Sequence, residues 1–235
     1  MTAEQSYSWG RVPKVVQSVA PINWRDQGLP ATEDSLLPWG IGRSYGDVCV
    51  NEGNTVVATK GLNNFIEFDV ETGLLTCESG VALGEILRLV SLQGWFLPVV
   101  PGTQFVSVGG AIANDVHGKN HERFGNFGHH VLEFTLLRSD RGLLRCSADE
   151  NADLFSATIG GLGLTGLILT ATIQLRRIEG TDIAHETIAF AGLDEFRALS
   201  AASRDTYEYI VAWIDCVSGP GKLGRGLLSR GNHAP

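Results

Sequence analysis

The chain has 235 residues, 43% of them hydrophobic, which is enough for a packed core in one large domain or two small ones. Its 18 basic and 26 acidic side chains give a formal charge of -8 with no long basic stretch, excluding a surface built to neutralise nucleic-acid phosphates. No run approaches the ~18 apolar residues of a membrane span. The start lacks the basic-then-apolar pattern of a secretory leader. The expected location is therefore cytoplasmic or peripheral to a membrane.

Cys49, Cys77, Cys146 and Cys216 are widely spaced and are expected to be reduced, structural thiols. Glycine is over-used: 29 residues, about 12% against a usual ~7%. The glycines cluster at 40–46, 102–128 and 160–166, where backbone is expected to approach something closely.

Residues 1–35 read as an irregular entry segment with one short strand or helix. Beyond the first glycine cluster, 55–59, 65–70 and 74–78 are strands by β-branched and apolar content, separated by turns at 60–63 and 71–73. At Leu83, Ile86, Leu87 and Val90 the period becomes helical, with Glu85 and Arg88 on the other face and Gly94 as the stop. Residues 95–100 return to extended chain, halted by Pro101 and Gly102, and a short helix is expected over 109–114. A strand pair follows at 131–137 and 142–146, then a helical turn at 151–157 and an apolar strand at 166–175. Short strands with few helices give an α+β reading of 1–178 rather than a βαβ succession. A second unit, 179–235, is expected to hold strands at 183–190 and 207–217 around a helix at 194–202. Its tail from 218 carries no predicted structure, and so short a unit suggests an incomplete domain.

Three stretches carry chemistry. In Trp39-Gly-Ile-Gly-Arg-Ser-Tyr-Gly-Asp47, the glycines allow successive N–H groups to face one anion, with Arg43 and Ser44 adding donors. The spacing is neither the dinucleotide fingerprint nor a P-loop, because no helix of a βαβ unit follows and no Gly-Lys-Ser/Thr is present. The second stretch, 101–121, holds Gly109, Gly110, Ala111 and Ala113, small enough for a ligand to lie on backbone at a helix N-terminus. It runs on into His117, Lys119, Asn120 and His121.

With His129 and His130, four of the six histidines fall close together. A metal site, a polar substrate pocket and ordinary loop histidines are all open readings; glycines at 118, 125 and 128 and the lack of an H-E-x-x-H pattern weigh against metal, and none is assigned. The third stretch, 159–168, places glycines between a short helix and a strand, so that backbone closes over a cofactor edge or simply makes a tight connection. No G-x-S-x-G elbow supports nucleophilic catalysis. Carboxylates such as Asp47 and Asp115 are free to approach in space, but paired-carboxylate hydrolysis leaves the glycine loops unexplained.

GIGRSYGD at 40–47, PGTQFVSVGGAIANDVHGKNH at 101–121, FGNFGHHV at 124–131, DLFSATIGGLGLTG at 153–166 and AWIDCVSGPGKLGRGLLSRG at 212–231 together resemble the vanillyl-alcohol-oxidase, or PCMH-type, flavoprotein family, in particular its branch that acts on lipid-linked sugars. The resemblance implies an FAD-binding lobe of two α+β subdomains followed by the start of an α+β substrate domain. It implies oxidation of a secondary alcohol of a sugar by hydride transfer to flavin N5, in that branch the 2′-hydroxyl of a lipid-linked pentose phosphate used for arabinose-donor synthesis in cell walls. Oxidation of free polyols or sugar lactones, and a truncated, non-catalytic flavin protein, are the alternatives. Members that tether FAD through the first loop commonly carry histidine at the position of Arg43, so FAD is expected to be held without a covalent bond.

Carried over by position, the cofactor contacts are Gly40, Ile41, Gly42, Arg43, Ser44, Tyr45 and Gly46 at the pyrophosphate. Pro101, Gly102, Thr103, Val108, Gly109, Gly110, Ala113, Asn114, His117, Gly118 and Asn120 line flavin and pyrophosphate. Gly161, Gly163, Gly166 and Ile168 complete the set, Ile168 on the adenine side. His117, Lys119 and Tyr45 are the expected catalytic-pocket residues, with Trp213 on the substrate-side wall. The family's remaining substrate-lobe residues fall beyond position 235, which points to a piece of a longer protein. The implied partner is a short-chain NADPH-dependent reductase, and the lipid tail of the implied substrate implies peripheral membrane association.

Overall fold

A computed structural model describes residues 8–219 and 222–235. The first seven residues of the entry segment, and Pro220 and Gly221 within the last matched stretch, lie outside them.

The chain runs β1 (Ser18–Pro21), β2 (Leu36–Trp39), β3 (Thr55–Ala58), β4 (Phe65–Asp69), β5 (Leu74–Glu78), α1 (Leu83–Val90), β6 (Trp95–Phe96), α2 (Val108–Ala113), α3 (His121–Phe124), β7 (Val131–Arg138), β8 (Gly142–Ser147), α4 (Ala152–Thr158), β9 (Leu167–Gln174), β10 (Arg176–Arg177), β11 (Ile183–Phe190), α5 (Leu193–Ser203), β12 (Tyr209–Ile214) and β13 (Gly226–His233). Strands outnumber helices and the sheets are separate, which is the α+β class expected.

The small first sheet is parallel, ordered β1-β3-β2, with the Val56 and Val57 side chains of its central strand buried. The larger sheet is antiparallel, ordered β4-β5-β9-β7-β8. Leu75, Cys77, Phe134, Leu136, Ala171 and Ile173 of this sheet join Leu83, Ile86 and Val90 of α1 and Val108, Ala111 and Ile112 of α2 in one buried cluster. Each of the Val, Leu, Ile and Phe side chains among them contributes about 1.5–3 kcal/mol by leaving water. The i, i+3, i+7 spacing of Leu83, Ile86 and Val90 puts that face of α1 inward. Glu85 accepts the Ala82 N–H at 2.9 Å, and Gly94, at φ 76°, ends the segment. Threonine pairs knit the larger sheet laterally: Thr76 with Thr172 at 2.9 Å and Thr135 with Thr170 at 2.8 Å.

The third sheet, β11-β13-β12, is antiparallel and carries α5 over one face, where Leu228 is fully buried. Here the structure corrects the expectation of a featureless tail, since residues 226–233 form the central strand. Gly226 and Gly231 hid it, because glycine in a strand ordinarily weakens it. Both are small because neighbours press on them: a Cβ on Gly226 would stand 2.0 Å from the Trp213 carbonyl oxygen, and one on Gly231 2.8 Å from that of Ala184. A second difference lies at 95–100, where only Trp95 and Phe96 pair, with β10.

Candidate functional site

The first glycine loop leaves β2 at the carboxyl end of the parallel sheet. Gly42 and Gly46 hold φ of 67° and 58°, the left-handed region that side chains resist. Gly40 is glycine for another reason: an added Cβ would lie 2.3 Å from Ser107 Oγ. Among the described residues, no backbone N–H from 41 to 46 donates to another backbone group, while the Ser44 carbonyl accepts the Trp9 N–H at 2.9 Å. Arg43 folds back, its Nη1 donating to the Ile41 carbonyl at 2.8 Å and its guanidinium lying 5.8 Å from the centre of the Trp9 ring. Apart from the Ser44 backbone, which is hydrogen-bonded to the Cys49 thiol, the loop therefore offers N–H groups that no backbone carbonyl among the described residues takes up, beside a cation, as an anion nest requires.

The second stretch behaves otherwise, and the expected anion-facing helix N-terminus is corrected. The Val108 N–H donates to Val81 O at 2.9 Å, that of Gly109 to Ser79 O at 2.8 Å, and that of Gly110 to the N-cap hydroxyl of Ser107 at 3.3 Å. These donors are consumed inside the protein. A Cβ on Gly109 would sit 3.0 Å from Ser79 Cβ, so the residue is small for packing. The third stretch closes the other end of α2: the Gly160 and Leu162 N–H groups donate to the Ile112 and Ala113 carbonyls at 3.0 and 2.8 Å.

Between the carboxyl end of the parallel sheet, α2 and this third stretch lies a cavity of about 540 Å³. Of the expected site residues, its lining includes Gly40, Ile41, Gly42, Arg43, Ser44 and Tyr45; Pro101, Gly102 and Thr103; Gly109, Gly110, Ala113, Asn114 and His117; and Gly163, Gly166 and Ile168. Gly46, Val108, Gly118, Lys119, Asn120 and Gly161 do not line it. Val108 is buried in the core. Gly118 packs against Val100, where a Cβ would meet the carbonyl oxygen at 2.9 Å, and one on Gly161 would meet Ala157 O at 2.2 Å. Asn120 is buried and donates to Pro98 O at 2.8 Å. Lys119 is exposed, its carbonyl accepting the Ile210 N–H at 2.9 Å. Trp213 stands exposed on β12, away from the lining.

The histidines divide. His117 lines the cavity. His121 Nδ1 pairs with Gly118 O at 3.2 Å, His129 Nδ1 accepts the Asn126 N–H at 3.1 Å, and His130 Nε2 pairs with Phe124 O at 2.8 Å, so these three brace their own loops. Burial pushes the His130 pKa below its usual value. Asp115 is likewise structural, accepting from Gly128 N at 2.9 Å and Asn126 Nδ2 at 3.0 Å.

Several lining residues were not among the expected site residues, among them Trp9, Trp39, Cys49, Thr59, Ser79 and Ser107. Trp39 and Ser107 lie within the first and second stretches; Trp9, Cys49, Thr59 and Ser79 arrive from outside all three. Burial pushes the Cys49 thiol up, keeping it protonated at neutral pH.

Two lining residues test whether a bound group fits. Trp39 Nε1 and Ser79 Oγ are buried and have no hydrogen-bond partner among the described residues. Buried donors left unpaired are costly, so their presence on this wall suits a ligand that brings acceptors. With the N–H groups of 41–46 that no backbone carbonyl among the described residues takes up, they match a large, phosphorylated, acceptor-rich molecule, and FAD is of that kind. Arg43 has no nucleophilic ring nitrogen to tether it.

Residues 29–147 match the family described as FAD binding domain. The chain is similar to decaprenylphosphoryl-β-D-ribose oxidase of Mycolicibacterium smegmatis, 37% identical over 99% of this chain and 53% of that protein. It is also similar to mouse L-gulonolactone oxidase, 31% identical over 57% of this chain and 30% of the relative. Human Δ24-sterol reductase is 30% identical over 48% and 22%. The chain spans about half the length of the first of these relatives and less of the other two. The chain thus belongs to the FAD binding domain family, as a PCMH-type domain related to decaprenylphosphoryl-β-D-ribose oxidase, with FAD as its non-covalent cofactor.

Proposed function

We propose that this chain is the cofactor-holding part of an FAD-dependent oxidoreductase that oxidises a secondary alcohol of a sugar, with the 2′-hydroxyl of decaprenylphosphoryl-β-D-ribose as its substrate position. The observation that carries the reading is the meeting of the donor-rich loop, the unpaired Trp39 and Ser79 donors, Tyr45 and His117 on one cavity. The similarity to decaprenylphosphoryl-β-D-ribose oxidase across nearly all of this chain supports the substrate.

When bound, FAD supplies the hydride acceptor, at flavin N5; the protein supplies binding and alignment. The N–H groups of 41–46 and Arg43 hold the pyrophosphate. Trp39 and Ser79, which line the same cavity, would help to orient the cofactor. Exposed Tyr45 and His117 face the open side, where His117 meets the reacting alcohol and Lys119, two residues on, reaches the anionic end of the substrate. In this reading 1–178 is the FAD-binding domain and 179–235 begins the substrate domain, an assignment supported by the separate β11-β13-β12 sheet. A short-chain NADPH-dependent reductase would consume the ketone product. Among the described residues no helix is long and apolar enough to cross a membrane, so contact with a lipid-linked substrate is proposed to be peripheral.

Bleaching of the flavin absorbance of the purified protein by decaprenylphosphoryl-ribose under anaerobic conditions is the expected result. Bleaching by L-gulonolactone or a free polyol, and none by the lipid phosphate, would transfer the assignment to soluble sugars, a reading that the L-gulonolactone oxidase similarity favours. A flavoprotein that no alcohol bleaches would be the non-catalytic alternative.

A further inference from the structure

The segment that follows His117 is gripped by side chains and backbone from the other end of the chain. Ile210 of β12 donates its N–H to the Lys119 carbonyl at 2.9 Å. Glu208 accepts from Asn120 Nδ2 at 3.4 Å, and Arg204 Nε meets Glu122 Oε2 at 3.1 Å. The Arg176 guanidinium lies 5.0 Å from the centre of the Phe124 ring and pairs with Glu208. Four grips thus fall within residues 119–124, on the carbonyl, amide, carboxylate and ring of successive or alternate residues.

The grip is anchored behind. Arg176 Nη2 also donates to Tyr209 Oη at 3.0 Å, Tyr209 Oη pairs with His233 Nε2 at 3.0 Å, and His233 Nδ1 pairs with Gly180 O at 2.8 Å. The Arg176 and Glu208 side chains are only 17% and 11% exposed. A buried ion pair is poor evidence of net stability, but breaking it on one side would strand a buried charge. Arg176 Nε and Asn120 Oδ1 are themselves buried without partners among the described residues, a cost borne to keep this arrangement. His117 stands two residues before the first grip and is held on its other side by the bridge to Asn126.

We infer that Arg176 and Glu208 are positioning residues: they clamp 119–124 to the third sheet and thereby set His117 against the cavity. The inference rests on the proposed function for its catalytic meaning, but the clamp is independent of it. Removing one charge would leave the other uncompensated and risk unfolding, so the test uses the double variant Arg176→Met/Glu208→Leu, which removes both. Amide hydrogen exchange over 117–124 is expected to quicken by at least about tenfold while β7 and β9 keep wild-type protection. FAD content per chain should not change, because loop 41–46 is untouched. The rate of flavin reduction at saturating decaprenylphosphoryl-ribose should fall by about tenfold, with the half-saturating concentration shifting much less, as expected when alignment and not binding is lost.

Wild-type exchange over 117–124 in the folded double variant would overturn the clamp. Faster exchange with an unaltered reduction rate would overturn the positioning role. Wild-type protein that carries no flavin would overturn the functional reading and the positioning role with it, and the exchange data would still decide the clamp. If the double variant does not fold, Arg176→Lys, which keeps both charges but gives up the planar guanidinium that spans Glu208, Tyr209 and the Phe124 ring, serves for the same measurements under the same criteria.

Discussion

The two main glycine-rich regions look alike in composition and do opposite things. In 40–46 the backbone N–H groups from residue 41 onward make no backbone bonds among the described residues, and Gly42 and Gly46 are glycine because φ is positive. In 108–118 the helix-start donors are consumed by Val81, Ser79 and Ser107, and glycine is there because another residue fills the space. The first region presents backbone to a ligand; the second presents a packed platform. Glycine content alone marks close approach and is silent on whether the approaching group is ligand or protein.

Gly40 belongs by position to the first region and by cause to the second, which makes it the sharpest test. Gly40→Ala drives a methyl group into Ser107 Oγ, displaces the loop, and is expected to weaken FAD binding by about 100-fold, ~2.7 kcal/mol. Adding Ser107→Ala should restore much of that affinity, at a cost of about 1 kcal/mol in stability from the lost helix cap. Flavin titration of the single and double variants decides it: no rescue would mean that the ligand, not Ser107, demands glycine at 40.

Gly118→Ala should separate the regions from the other side. Its Cβ would meet Val100 O and Asn120 Oδ1, so the apo-protein should lose about 1–3 kcal/mol in a denaturant titration. FAD affinity of the folded fraction should barely move. A variant of unaltered stability that has lost FAD would erase the distinction drawn here.

Trp39→Phe is expected to weaken FAD by about tenfold, the worth of a hydrogen bond to an otherwise orphaned donor, and to leave apo-stability unchanged or raised. Unchanged affinity would remove Trp39 from the recognition set.

The smallest effect concerns the loop behind the platform. Because burial lowers the His130 pKa, the unfolded chain takes up the proton first as pH falls through about 6.5. Stability should therefore decline on acidification from pH ~7, and His130→Gln should flatten that slope in unfolding curves. A slope unaltered by the substitution would show that other groups set it.

Much of this was legible in the chain itself. Helix α1 announced itself by the period of Leu83, Ile86 and Val90 and by its stop at Gly94, because those signals are local. The cofactor loop was legible for the same reason, as was the FAD class from the motifs around it. Strand β13 was not, because Gly226 and Gly231 answer to neighbours on β11 and β12 that no local window contains. His117 was named together with His121, and only their surroundings tell the cavity-lining ring from the one that braces its own turn.

By itself, then, the amino-acid order determined where the backbone is free of Cβ, which helices and strands nucleate, and that Arg43 cannot tether a flavin. The tertiary structure decided which donors remain unspent, since a hydrogen bond taken by Val81 or Ser79 depends on a chain crossing far away in sequence. It also decided that Trp39 and Ser79 line the same cavity, and that 119–124 is held by residues more than fifty positions further on. Local conformation is a short-range property of the chain, whereas the satisfaction of polar groups is settled only when the core closes around them.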